Sequence, residues 1–139
     1  MRLSVTKNTN FRGFLYCPAT AQFLLQQNTF DEKGEWVLLN GPGKSFAKII
    51  HKLLKIKAKA KDVFFIYDYT VRGIKNVISY ALVKKPKDFP VTKTCSFVWL
   101  TQKELSKIPL SSQTKQDLIV GQRVIASEVR RDAGEQTIG

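Results

Sequence analysis

Residues 36–61 read WVLLNGPGKSFAKIIHKLLKIKAKAK, and the change of pattern inside this stretch decides the fold. Its first residues, Trp36–Leu39, are apolar and predict a short strand, which the polar and glycine-rich residues 40–43 end. From Ser45 onward apolar residues recur at three- and four-residue spacing, which predicts an amphipathic helix with Ser45 as its N-cap. We expect this helix to reach residues 58–60, because alanine and lysine are good helix formers.

The end of that helix is ambiguous, since lysine alternates with apolar residues from Lys55 to Lys61, and a period of two also suits a strand. Elsewhere the patterns predict two strands within residues 11–27 around a turn at Pro18, strands at 63–69, 76–84 and 93–100, a short helix capped by Thr101 and Glu104, and a last helix from about Ser112 to Val129. The order β-β-β-α-β-β-β-α-α predicts an α/β (α+β) fold, a mixed sheet flanked by helices.

The length of 139 residues and a hydrophobic content of 43% suit one domain with a substantial core. We expect that domain to span residues 11–129, between an N-terminal segment, 1–10, and a flexible tail, 130–139. No apolar run approaches the roughly 20 residues of a membrane span, and the N-terminus lacks the apolar core of a signal peptide. A cytoplasmic protein with reduced thiols at Cys17 and Cys95 is expected.

The charge balance is strongly basic, with 23 Lys and Arg against 11 Asp and Glu and a formal net charge of +12. Such a field favours polyanionic partners, which include nucleic acid, acidic proteins, anionic lipid headgroups and phosphorylated metabolites. A contribution to solubility alone is the alternative. The distribution of the lysines decides between the two.

Two tryptophan-containing segments carry a resemblance to the Nudix (MutT-like) family. Trp36–Gly41, followed by the helix from Ser45, resembles the family's strand, glycine loop and acidic helix. Ser96–Leu105, followed by Ile108–Leu110, resembles its closing strand, short helix and Leu-Pro turn. The resemblance covers roughly residues 10–125. It implies the Nudix fold and hydrolysis of nucleoside diphosphate derivatives with Mg²⁺ or Mn²⁺.

The chain departs from the family at the helix that should bind metal. The family has an Arg-Glu pair and then a Glu-Glu pair, where this chain has Lys52-Leu53 and Ile56-Lys57. No Asp or Glu lies in residues 36–61. Magnesium requires hard oxygen ligands, usually carboxylates. We therefore predict a degenerate Nudix box with no catalytic residue, no metal and no cofactor, and we interpret His51, the single histidine, as a surface or packing residue.

The lysines of the predicted helix form a stripe opposite its apolar face. Their spacings of four, three and four residues place them on one side of a helix, and Lys44 extends the line. The stripe consists of Lys48, Lys52, Lys55 and Lys59. Like charges at these spacings cost about 1 kcal/mol in total without intervening glutamates. An anion-binding face is predicted, with an ordinary solvated lysine face as the alternative.

Two further groups of residues are candidates for binding. Gly41, Gly43 and Ser45 stand with Lys44 at the start of the helix, where backbone N–H groups can hold a phosphate. A P-loop is excluded, because Leu38 stands where that motif requires glycine. Base stacking is the second candidate role, for aromatic residues on strands that could equally serve packing. These residues are Tyr67, Tyr69 and Tyr80.

Three functions remain open. The first is a catalytically inactive Nudix-fold protein that binds a phosphate-rich partner, nucleic acid or nucleotide, through a lysine-rich helix. The second is an active Mg²⁺- or Mn²⁺-dependent phosphohydrolase with non-standard metal ligands drawn from Glu35, Asp68, Glu104 and Asp117. The third is a structural subunit of a ribonucleoprotein assembly. A homodimer is compatible with all three.

Overall fold

The computed structural model describes residues 9–138. Its strands and helices are β1 Thr9–Cys17, β2 Gln22–Asn28, β3 Trp36–Val37, β4 Leu39–Asn40, α1 Phe46–Leu54, β5 Val63–Val71, β6 Ile74–Leu82, β7 Cys95–Thr101, α2 Gln102–Leu105 and α3 Ser112–Ile138. A short 3-10 turn, Ala60–Asp62, precedes β5. This order confirms the predicted succession, except that the strand beginning at Trp36 is interrupted at Leu38 and forms two short strands.

The strands form one mixed sheet. Its main path is β3-β2-β1-β6-β5, with β4 paired to β1 and β7 paired to β2. The pair of β1 and β6 is parallel, and the other strand pairs are antiparallel. Among the described residues β5 pairs only with β6, so it forms an edge of the sheet. The arrangement confirms the predicted fold class of a mixed sheet flanked by helices.

Helix α1 covers one face of the sheet. Its N-cap is Ser45, as predicted, and the Ser45 hydroxyl accepts a hydrogen bond of 3.2 Å from the backbone N–H of Lys48. The apolar side chains of the helix pack against β1, β2 and β6, and the buried ones are Phe46, Ile49, Ile50 and Leu54. Full burial of each such side chain contributes about 1.5–3 kcal/mol, so packing fixes the position of the helix.

Gly13 of β1 sets how closely α1 approaches the sheet. A Cβ atom at Gly13 would clash with the backbone oxygen of Ser79 and would lie 2.7 Å from the ring of Phe46. Only glycine therefore allows β6 and α1 to pack this closely around β1. This contact fixes the first turn of α1, and with it the loop that enters the helix.

Helix α3 covers the opposite face. Leu118 is buried there in a core that includes Phe14 of β1 and Ile78 of β6. Gly121 brings the helix backbone close to the sheet, because a Cβ at this position would lie 2.9 Å from the Phe14 ring. The short helix α2 begins with the predicted capping box, in which Thr101 and Glu104 exchange hydrogen bonds.

The predicted end of α1 at residues 58–60 is wrong, because the helix ends at Leu54. Lys55 adopts a left-handed conformation with a φ of 62°, and its backbone N–H donates to the carbonyl of His51 over 2.9 Å. The Lys55 ammonium also donates to the carbonyl of Lys52 over 3.1 Å. Backbone and side chain together close the last turn of the helix.

Burial explains why the chain leaves the helix here. In a longer helix Lys57 would follow Leu53 by four residues and would lie on the same inward face. Burying an unpaired ammonium group costs several kcal/mol. In the structure Ile56 and Ala58 pack against the core, while Lys57 is exposed. The period of two therefore prevails over helix propensity, since it turns apolar residues inward and lysines outward.

The ends of the chain differ in part from expectation. The last helix continues to Ile138, beyond its predicted end at Val129. Residues 1–8 of the predicted leading segment and Gly139 of the predicted tail lie outside the described residues. Within the described part, Cys17 and Cys95 are buried free thiols, and no helix combines the length and apolar character needed to span a bilayer.

Candidate functional site

The lysines predicted to form one helical stripe occupy three different segments. Lys48 and Lys52 lie on α1 and are exposed. Lys55 ends the helix, and Lys59 lies beyond it in the non-helical chain. Lys44 is exposed in the loop that precedes the helix. The single stripe on a helix is therefore a wrong prediction, because the helix is too short to carry it.

The chain after Lys55 returns alongside α1, and a groove of about 490 Å³ opens between the two. We call this feature the basic groove. It is lined by Ser45, Ala47, Lys48, His51, Lys57, Ala58 and Lys59. The fold thus brings Lys48 together with Lys59 in one groove and adds Lys57, which the helical period had excluded. The period-two alternation of residues 55–61 was the sequence signal for this arrangement.

The electrostatic environment of the basic groove is dominated by its lysines. The nearest acidic residue in sequence after α1 is Asp62, whose carboxylate accepts a hydrogen bond of 3.2 Å from the backbone N–H of Lys59. Lys75 and Asp68 form an ion pair at 3.9 Å on β6 and β5, away from the residues that line the groove. The groove lysines are exposed and turn toward solvent, where an incoming anion can reach them.

The glycine loop has two distinct roles. Gly43 permits close packing, because a Cβ at this position would lie 2.9 Å from the Ile49 side chain. Ser45 uses its hydroxyl to cap α1. Gly41 has open space around its Cα and borders a second cavity of about 420 Å³. The predicted phosphate-binding loop therefore separates the basic groove from this second cavity.

We call the second cavity the asparagine pocket. It lies where β1 and β6 begin and β2 and β4 end, and its lining consists of Asn10, Phe11, Arg12, Asn28, Val37, Asn40, Gly41, Pro42 and Asn76. The amide groups of Asn40 and Asn76 donate to the carbonyls of Leu38 and Ile74, which orients them. Sequence analysis missed this pocket, because its polar side chains come from four strands and share no local motif.

The tyrosines predicted to stack on bases are engaged within the protein. Tyr80 is 3% exposed, and its ring stacks between those of Phe14 and Phe64. Tyr67 and Tyr69 are half-buried and donate hydrogen bonds of 2.6 and 3.2 Å to the carboxyl group of Asp117. Their positions support packing and hydrogen bonding, the alternative that the sequence left open.

The Asp117 carboxyl group is fully buried on α3 and also accepts a hydrogen bond of 2.9 Å from the Gln113 amide. Burial, and after it the negative charge of Asp117, raises the pKa of Tyr69 to about 12. The positive charge of nearby Arg12 acts to lower this pKa. Burial and the hydrogen bond to Asp117 raise the pKa of Tyr67 as well. This network joins β5 to α3.

Solved structures share this arrangement of sheet and helices. The chain superposes on the NUDIX domain of Shewanella oneidensis NrtR, solved with ADP ribose, with a TM-score of 0.63 and 13% identity over 84% of this chain and 86% of that chain. It superposes on the E. coli dihydroneopterin triphosphate pyrophosphohydrolase with a TM-score of 0.63 and 12% identity, over 86% of this chain and 96% of that one. The chain has the Nudix fold.

A C. elegans Ap4A hydrolase has the same fold, with a TM-score of 0.56 and 15% identity over 86% of this chain and 96% of that chain. No family model and no curated protein matches the chain at the level of sequence. The low identities mean that the relation to these Nudix-fold proteins is one of architecture.

The acidic residues of this Nudix-fold chain do not fit a divalent metal. Helix α1, FAKIIHKLL, carries no carboxylate. Glu104 is committed to the capping box, Asp117 to the buried network and Asp68 to its ion pair with Lys75, while Glu35 lies before β3. Among the side chains that the structure describes, those of residues 9–59 and 61–128, no three Asp, Glu, His or Cys cluster as metal ligands would. The four candidate ligands do not converge on one cleft.

Proposed function

We propose that this protein is a non-hydrolytic member of the Nudix-fold group that binds a phosphate-rich partner, nucleic acid or nucleotide, at the basic groove. The observation that carries the proposal is the composition of α1 and the chain after it. Residues 36–61 contain no acid, and the groove presents Lys48, Lys57 and Lys59 instead. A divalent cation there would meet repulsion, whereas a phosphate would meet several positive charges.

A concave surface suits an anion better than a flat one with the same charges. Lys48, Lys57 and Lys59 line one groove, where an anion could contact more than one of these side chains. The loop before α1 adds Lys44 on the approach to the groove.

The salt dependence of binding tests the proposal. Association with a fluorescently labelled duplex should weaken as salt rises, with a slope of log K against log salt of about −0.9 for each phosphate contacted, or about −4.5 for five contacts. Lys48→Gln/Lys57→Gln/Lys59→Gln should flatten the slope. The charge-matched control is Lys103→Gln/Lys107→Gln/Lys115→Gln, at exposed lysines on α2, on the turn after it and on α3. Equal slopes for both triple variants would contradict the proposal.

A nucleotide ligand would draw on the asparagine pocket as well. This pocket offers the Arg12 guanidinium and several side-chain amides, which can recognise the hydrogen-bonding edge of a base or a sugar. Only the short loop that contains Gly41 and Pro42 separates this pocket from the basic groove. Weaker binding of a mononucleotide by Asn40→Ala, with binding of inorganic polyphosphate unchanged, would identify a nucleotide ligand.

The Nudix fold itself favours a second candidate, an active phosphohydrolase dependent on Mg²⁺ or Mn²⁺, because a dihydroneopterin triphosphate pyrophosphohydrolase and an Ap4A hydrolase share the architecture. In this chain the ligands would come from acids outside α1. Turnover of nucleoside diphosphate derivatives with either metal tests this candidate. Loss of that turnover in Glu35→Gln or Glu104→Gln would establish it and would replace the non-hydrolytic proposal.

The same lysines would suit a structural subunit of a ribonucleoprotein assembly. In that case the groove docks on a fixed site of RNA instead of exchanging a free ligand. Capture of RNA and associated proteins by the tagged chain at low salt, lost in the Lys48→Gln/Lys57→Gln/Lys59→Gln variant, would favour an assembly. Recovery of free nucleotide alone would favour a protein that binds a nucleotide as a free ligand.

A further inference from the structure

An exposed aromatic ring lies on the edge strand that follows the basic groove. Phe65 of β5 has 58% of its surface exposed, although phenylalanine is an apolar residue. Its neighbour Phe64 turns to the opposite face and stacks on Tyr80, with ring centroids 5.2 Å apart. Within the described part of the chain, the Phe65 ring is paired with no other aromatic ring. More than half of this side chain is therefore accessible to a stacking partner.

The strand register places Phe65 on the same face of the sheet as α1. Val63 is opposite Ala81, and Phe65 is opposite Ser79, so the two residues of β5 share a face by the two-residue period of a strand. Ala81 is buried in the core beneath α1, and Val63 packs against that core. The bulge that shifts the register comes after Phe65 and does not affect this assignment.

A row of lysines connects the groove to this ring. Lys57 and Lys59 line the groove, and Lys61 is exposed in the 3-10 turn that leads directly into β5. Phe65 is four residues beyond Lys61, which corresponds to about 13 Å of extended chain at most. One face of the protein thus presents positive charges in sequence and then an unpaired aromatic ring.

We propose that this face binds single-stranded nucleic acid, with phosphates held along the basic groove and a base stacked on Phe65. The inference rests on the proposed function and names its partner. Proteins that bind single strands combine a positive groove with aromatic side chains, because every base offers a flat face for stacking. In a duplex the bases are already stacked and paired, and a bare polyanion has no ring to offer. Of these three polymers, only a single strand uses both features along the whole row of lysines.

The test compares a short labelled oligouridylate with inorganic polyphosphate, which carries the charge but no base. Fluorescence anisotropy should show that Phe65→Ala weakens oligouridylate binding at least about five-fold, the lower end of base stacking on an aromatic residue, and leaves polyphosphate binding unchanged. Phe65→Trp should retain oligouridylate binding. The matched control is Phe30→Ala, since Phe30 is 81% exposed between β2 and β3. Thermal unfolding confirms that each variant is folded.

Separate outcomes overturn the two proposals. Equal oligouridylate affinity in Phe65→Ala and Phe30→Ala, or binding of the duplex as tightly as the single strand, would refute a stacked single strand. Loss of affinity for both probes in Lys57→Gln/Lys59→Gln would still support an anion-binding groove. If Lys57→Gln/Lys59→Gln instead bound both probes like the unaltered protein, the function proposed for the groove would fail.

Discussion

The phenol of Tyr67 donates a hydrogen bond of 2.6 Å to the fully buried carboxyl group of Asp117, fifty residues away in sequence. Tyr69 and Gln113 donate to the same carboxyl group. A buried carboxyl group is stable in a protein interior only when its oxygens have hydrogen-bond partners. The network therefore fixes the edge strand β5, and with it Phe65, against helix α3.

Removal of the Tyr67 hydroxyl should reduce stability. In Tyr67→Phe the buried carboxyl group loses its shortest hydrogen bond, and the free energy of unfolding should fall by about 1–3 kcal/mol. Urea denaturation measures the change. Tyr16→Phe makes the same deletion on a half-buried tyrosine of β1 and should change stability by about 0.5 kcal/mol or less. Equal losses in the two variants would show that the network contributes nothing specific.

Alkaline pH should destabilise the fold through the same tyrosines. The pKa of Tyr69 is raised from 10.0 to about 12, and that of Tyr67 is also raised. Because each folded-state pKa exceeds the unfolded one, the contribution to stability is complete below about pH 10 and is lost as the pH rises through the folded-state pKa.

The free energy of unfolding, measured by urea denaturation at several pH values between about 9 and about 12, tests this prediction. It should fall more steeply in the unaltered protein than in Tyr67→Phe/Tyr69→Phe, which has lost both titrating groups. The two proteins share all their other titratable groups, so the difference in slope isolates the tyrosines. Parallel curves would argue against the raised pKa values.

Replacement of Lys55 by glycine should stabilise the protein by about 0.5–1 kcal/mol, because glycine adopts a positive φ without the penalty of a Cβ atom. Lys52→Gly is the control inside α1, where glycine should lower stability by up to about 1 kcal/mol. Thermal denaturation of both variants gives the sign. Destabilisation by both changes would mean that the helix continues through Lys55, as the sequence pattern alone had favoured.

Gly121→Ala should destabilise the packing of α3 on the sheet. The new Cβ would lie 2.9 Å from the Phe14 ring, which Phe23 and Tyr80 hold in place with ring centroids 5.3 and 5.8 Å away. Overpacking costs about 1–3 kcal/mol, and the gain in helix propensity returns about 1 kcal/mol. A net loss of roughly 1 kcal/mol is expected in chemical denaturation.

Gly41→Ala is the matched control for that experiment, since nothing lies within 4 Å of a Cβ at Gly41. Its stability should stay within about 0.5 kcal/mol of the unaltered protein. A stabilised Gly121→Ala protein would show that helix α3 shifts away from Phe14 at little cost. The close packing of helix and sheet would then be adaptable instead of fixed.

Local patterns in the sequence predicted most of the fold. The order of strands and helices, the Ser45 cap and the capping box of Thr101 and Glu104 depend on residues close together in the chain. The end of α1 was predicted wrongly, because propensity favoured helix to residues 58–60, whereas the packing of Ile56 and Ala58 against the core requires an alternating chain.

The sequence by itself determined what this protein lacks, since no fold can supply a carboxylate to residues 36–61 that contain none. Only the tertiary structure decided which side chains come together where those carboxylates are missing. Lys57 and Lys59 join Lys48 because the chain reverses after α1, and the asparagine pocket assembles from strands distant in sequence. Such sites arise from long-range packing, in which each side chain is positioned by neighbours that no local period encodes.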